Sequence, residues 1–170
     1  MDHATRRIIL EAVKTAIITE LRGYEIYKAA AEKTTDASAR LMFQSLANDE
    51  AQHKDFLERN FQSLLEKGEW SVPATPENLS PLDESEVITP QFLKRVKGGS
   101  FEMAVVAAGC ELEMSAISFY KKAAEECPDE ESAKVFRFLA DWEKGHLESL
   151  SDLESRMKND YFAERGFSPM

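Results

Sequence analysis

Cysteine is scarce in this 170-residue chain. The two present, Cys110 and Cys127, are too few for a disulfide framework and form no Cys-x-x-Cys pair, which excludes a four-thiolate metal module. Basic residues are also short, 21 Lys and Arg against 31 Asp and Glu, and the resulting net charge of −10 argues against nucleic acid and anionic membranes, both of which need a basic face. No uninterrupted apolar run approaches the roughly 18 residues of a membrane span. Arg6, Arg7, Glu11 and Lys14 break up the first apolar stretch, which a signal-peptide core would not tolerate. These absences lead to the expectation of a cytoplasmic protein with neither nucleic acid nor membrane as partner. The length suits a single domain, 1–170, able to bury its own core.

Proline and glycine are few and unevenly placed. Pro73, Pro76, Pro81 and Pro90 all fall between Gly68 and Gly99, and on either side the pattern is helical. Ile9, Val13, Ala16, Glu20, Tyr24, Tyr27 and Ala31 follow the spacing of one helix face and predict a helix from about Ala4 to Lys33. After a turn at Thr34-Thr35, Asp36 is a candidate N-cap for a second helix to about Lys67, with Phe43, Leu46, Glu50, His53, Leu57, Phe61 and Leu64 on its stripe. Ser100 can cap a third helix to about Glu126, carrying Val106, Gly109, Glu113, Ile117, Tyr120 and Ala124. Beyond Pro128-Asp129 a fourth runs to about Lys158, carrying Phe136, Leu139, Glu143, His146, Leu150 and Leu153, with a tail over 159–170. Short turns make each pair an antiparallel hairpin, about 4–67 and about 100–158. The connection over about 68–99 is long enough to cross the roughly 45 Å of a 30-residue helix, and a short helix is expected near Thr89–Val96. An all-α four-helix bundle of the ferritin-like kind, two hairpins joined by a long crossover, is the architecture that needs such a connection.

The two hairpins repeat one another without a gap at an offset of 93. YKAAAEKTTD, from Tyr27 to Asp36, lies over YKKAAEECPD, from Tyr120 to Asp129. Glu20 lies over Glu113, Glu50 over Glu143, and His53 over His146. Each half thus holds a Glu and, 30 residues later, a Glu-x-x-His whose two side chains share a helix face. A single Glu-x-x-His on a helix is usually a surface coincidence. Two copies, each with an upstream Glu on an apolar stripe, would bring four carboxylates into a core. Buried unpaired charges cost several kcal/mol each, and two divalent cations would cancel them. Carboxylate and imidazole without thiolate suit iron or manganese, and zinc also fits. The alternative is a metal-free bundle with buried acid–histidine pairs.

The segments ITELRGYEIYKAAAE, NDEAQHKDFL, GCELEMSAISFYKKAAEE and DWEKGHLESL resemble the rubrerythrin branch of the ferritin-like di-iron superfamily, over everything except the linker. Bacterioferritins and ubiquinone-biosynthesis hydroxylases share the ligand pattern, and the Tyr-Lys-x-Ala-Ala-Glu tails favour the rubrerythrin side. The resemblance implies two iron ions bridged by Glu50 and Glu143, with Glu20 and His53 completing one position and Glu113 and His146 the other. It implies an oxidoreductase that reduces hydrogen peroxide or O2 with electrons from an external donor. The alternatives are an iron-binding or ferroxidase protein for iron handling, a hydroxylase of a lipophilic ring, for which this acidic chain offers no docking face, and a structural bundle without turnover. Tyr24, Tyr27 and Tyr120 either hydrogen-bond ligand carboxylates, as in such proteins, or are ordinary core aromatics. Asp49 and Asp141 are read as solvated helix-face charges, the alternative being that one orients a ligand histidine. Two features depart from the family pattern. Cys110 stands where rubrerythrins carry one more Glu, with Glu111 about 100° away around the helix, and no rubredoxin module supplies electrons. The family also implies a homodimer, with Trp70, Val72 and Phe92 either covering a second chain or packing on their own bundle.

Overall fold

The computed structural model describes residues 1–71 and 100–166. They form four helices, α1 (His3–Lys33), α2 (Ala37–Glu66), α3 (Ser100–Glu126) and α4 (Glu130–Glu164), and no strand occurs among the described residues. α1 packs along α2, α3 along α4, and α1 meets α3 across the bundle. The all-α bundle expected from the apolar spacing, with its two antiparallel hairpins, is the one observed.

Local chemistry sets the helix starts. Asp2 accepts hydrogen bonds from the Ala4 and Thr5 amides at the head of α1, Asp36 from Ser38 and Ala39 at α2, and Asp129 from Ser132 at α4. Each carboxylate satisfies amides that lack a partner in the first turn and opposes the positive end of the helix dipole. α3 begins at Ser100, where its cap was expected, so the cap itself lies outside the described residues. α4 runs six residues beyond the expected Lys158. Nothing in its sequence breaks a helix before Gly166, whose φ of 72° suits only a residue without a side chain. The crossover from residue 72 onward, the short helix expected near Thr89–Val96, and Val72 and Phe92 also lie outside the described residues. Trp70 packs on its own bundle: its Nε1 donates to Ser132 Oγ at 2.9 Å and its ring meets Phe136 edge-on.

The interior divides into two apolar clusters. One gathers Tyr27, Phe43, Val106, Leu150 and Leu153, the other Ile9, Val13, Phe56, Leu57, Tyr120, Phe136 and Leu139. Every helix passes from one cluster to the other at a polar residue: Glu20 after Ala16 on α1, Glu50 and His53 between Ala47 and Phe56 on α2, Glu113 between Cys110 and Ala116 on α3, and Glu143 and His146 between Ala140 and Leu150 on α4. The bundle thus carries an acidic layer between two hydrophobic ones. Although no long apolar run was visible, the stretch Phe101–Glu126 is long and apolar enough by mean hydropathy, 1.3, to cross a membrane. Here it is a bundle helix with Glu113 fully buried at its middle.

Candidate metal centre

Helix periodicity alone delivers the six candidate ligands to one place. Each lies on the stripe its helix turns inward, and none is more than 2% exposed. Two overlapping groups result, Glu20, Glu50, His53 and Glu143, and Glu50, Glu113, Glu143 and His146, with the donor atoms in each within 4.8 Å of one another. Glu50 and Glu143 belong to both. His53 Nδ1 lies 3.1 Å from Glu20 Oε2 and 3.1 Å from Glu143 Oε1. His146 Nδ1 lies 3.1 Å from Glu143 Oε2 and 3.8 Å from Glu50 Oε1. The two imidazoles face each other nearly parallel, centroids 5.8 Å apart.

The cluster is not satisfied by its own hydrogen bonds. Glu50 Oε1, Glu113 Oε2 and Glu143 Oε1 are buried without one, as are Nε2 of His53 and His146. For Glu143 Oε1 the His53 nitrogen is close enough but lacks hydrogen-bond geometry. Buried polar atoms seldom remain unpaired, and here three carboxylate oxygens with free lone pairs converge. That is the donor arrangement a pair of divalent cations would complete.

Electrostatics says the same. Burial, then repulsion from Glu143 and Glu20, pushes the Glu50 carboxyl well above the usual range, and burial followed by Glu143 does so for Glu113. Burial would also raise Glu143, but the adjacent His53 and His146 hold it below the usual range. Burial disfavours the charged form of both histidines, yet Glu143 and Glu20 lift His53 to about 9, and Asp49 and Glu143 lift His146 well above its ordinary value. Left to themselves, these side chains gather protons to offset their charge, a role cations fill better.

Two tyrosines brace the outer carboxylates crosswise. Tyr27 on α1 donates to Glu113 on α3, and Tyr120 on α3 donates to Glu20 on α1. Burial first, then the carboxylates, drives both phenols well above their usual range, so both stay protonated donors. Tyr24 does not join them. It is half-buried, with the Lys28 ammonium 5.2 Å from its ring centroid. Asp141 is exposed as expected, but the solvated reading of Asp49 is corrected: it is 3% exposed and its Oδ2 lies 3.5 Å from His146 Nε2. Sequence reasoning also passed over Gly23. A Cβ there would stand 2.7 Å from Glu50 Cδ, so only glycine leaves room for that carboxyl. The available signal was its position three residues after Glu20, on the same inward stripe.

The rubrerythrin family model matches residues 11–154, most of the chain and all six candidate ligands. The chain belongs to the rubrerythrin family. No curated protein and no solved structure matches it. Family membership and the buried Glu/His cluster together fit a di-iron site. Where rubrerythrins carry their extra Glu, Cys110 is buried, its Sγ 3.9 Å from Ser151 Oγ, and it takes no part in either ligand group. Glu111 faces solvent. Among the described residues, the two groups thus comprise four carboxylates and two imidazoles.

Proposed function

We propose that this chain is a dinuclear non-haem iron oxidoreductase that reduces hydrogen peroxide, or O2, with electrons from a separate donor. The observation that supports it is the pair of buried ligand groups sharing Glu50 and Glu143. Glu20 and His53 would hold one ion, Glu113 and His146 the other, and Glu50 and Glu143 would bridge them. Bound iron supplies the redox couple: two electrons, with two protons, turn one peroxide into two waters. The protein's own part is positional. The tyrosine hydroxyls keep their protons and fix Glu20 and Glu113 in place, while the apolar clusters on either side keep bulk water from the acids. The two cysteines form no thiolate cluster that could carry electrons within these residues, so this reading places the source of reducing equivalents outside them.

The test is anaerobic reconstitution with Fe(II), metal counting, and a peroxide titration followed by absorbance. Two irons per chain, one peroxide consumed per pair, and recovery by an added reductant are expected. Fewer than two bound ions, or loaded protein inert to peroxide, would refute the proposal. Uptake well beyond two per chain would instead assign the protein to iron handling.

A further inference from the structure

The duplication is kept at all six candidate ligands and broken directly behind the two histidines. Both imidazoles make their carboxylate contacts through Nδ1, leaving Nε2 on the far side of the ring. Behind His146, Nε2 lies 3.5 Å from Asp49 Oδ2, close enough to pair though not aligned for a hydrogen bond, and both groups are buried. Behind His53 stands Trp142, its ring meeting the imidazole edge-on with centroids 4.5 Å apart; neither Nε2 completes a hydrogen bond, but that of His146 has the Asp49 carboxylate beside it and that of His53 the indole. Asp49 and Trp142 occupy the same place in the two repeats, since 93 separates them as it separates each pair of ligands.

The difference bears on metal affinity. A ligating imidazole that gives its other N–H to a carboxylate is fixed in tautomer and orientation and becomes a stronger donor, and losing such a support typically costs about 10–100-fold in metal affinity. An indole edge holds the ring in place but offers no comparable acceptor. We infer that the two cation positions are unequal: the one formed by Glu113 and His146, backed by Asp49, takes its divalent ion first and about 10–100-fold more tightly than the one formed by Glu20 and His53. Asp49 is the positioning residue responsible. The inference rests on the dinuclear reading above. It gives a chain that, at limiting metal, holds one ion and both bridging carboxylates without the second ion of the redox pair.

The test is anaerobic titration of the full, chelator-stripped chain with Co(II), followed by calorimetry and ligand-field absorbance. Wild type should bind two ions in two steps, about 10–100-fold apart. His53→Gln should abolish the weak step and spare the tight one. Asp49→Asn, similar in size, should weaken the tight step by about the same 10–100-fold and leave the weak one in place. Two ions bound with equal affinity by wild type, or Asp49→Asn lowering both steps alike, would overturn the inference and leave the dinuclear reading standing. Failure of wild type to bind any ion would remove both.

Discussion

Replacing Gly23 by Ala separates the needs of the helix from those of the site. Gly23 sits in the middle of α1, where alanine is favoured over glycine by about 1 kcal/mol. Its missing Cβ would stand 2.7 Å from Glu50 Cδ and 2.9 Å from Glu50 Oε1, well inside the 3.4 Å at which ordinary contact begins. The carboxyl must therefore retreat by about 0.7 Å, the gap between those two distances. Metal–ligand distances tolerate only about 0.2 Å, so Glu50 can no longer serve both positions. In stripped protein no metal bond fixes Glu50, and the far end of its side chain can turn aside. The expected loss is about 100-fold in affinity for at least one ion, or about 3 kcal/mol.

Gly23→Ala should consequently change stability in opposite directions. A gain of about 1 kcal/mol raises the melting temperature of stripped protein by about 2–4 °C for a chain of this size. Metal-loaded protein should melt below loaded wild type, because the stabilisation linked to binding falls with affinity. Calorimetric metal titration and paired thermal melts would show both effects. The matched position in the second hairpin is Ala116, and Ala116→Gly should lose about 1 kcal/mol in both states without touching Glu50. If Gly23→Ala binds two ions as wild type does and gains stability equally with and without metal, the close approach of Glu50 has no bearing on the site.

Glu50→Leu should abolish binding of the second ion yet stabilise stripped protein by about 1–4 kcal/mol at pH 8, because it removes an acid from a buried cluster of like charge; a less stable stripped variant in urea melts would contradict this. Tyr27→Phe deletes the donor to Glu113 and leaves a buried carboxylate oxygen without its partner, a loss of about 1–3 kcal/mol; a denaturation midpoint unchanged from wild type would count against the brace. Stripped protein should lose stability as pH rises. His53 is raised from 6.5 to about 9, so its contribution is complete below pH 6.5 and gone by about 9, amounting to roughly 3 kcal/mol. Glu50 and Glu113, also raised, add to the same slope, while Glu143, held low, is ionised throughout that window and adds none. Thermal melts of chelator-treated protein between pH 6 and 9 that stay flat or rise would refute the assignment.

Helix faces and the central cluster were legible in the sequence because both depend on spacing along a single helix. A Glu-x-x-His projects both side chains to one side whatever the neighbours do, and repetition at a fixed offset marked the two copies as a pair. What crosses between helices was less legible. Asp49 lies next to Glu50 and so about 100° around α2 from the ligand stripe, where a charge ordinarily meets water. It is buried because α4 places His146 against it. Tyr24 and Tyr27 share a stripe, yet only Tyr27, nearly two turns beyond Glu20, reaches α3 and Glu113. The last turns of α4 are less legible because residues 159–163, beyond the last buried apolar residue Met157, are exposed and carry no stripe, and only Gly166 ends the helix.

The pattern of what the repeat keeps and what it changes follows from the energetics of the layer. Four acids between two apolar clusters are a standing cost to the fold, offset by the burial of Tyr27, Phe43, Phe56, Tyr120 and Phe136 on either side. Removing one ligand from such a set leaves a bound ion incompletely held, so a single change is penalised in loaded protein even where stripped protein gains, and all six are matched between the hairpins. The positions behind them are under no such mutual constraint. Trp142 in the place of Asp49, or Ala116 in the place of Gly23, alters how one ligand is held without leaving a second one unpaired. Divergence between the hairpins should therefore collect in the residues that support the ligands, and that is the level at which two chemically identical half-sites can come to differ in affinity.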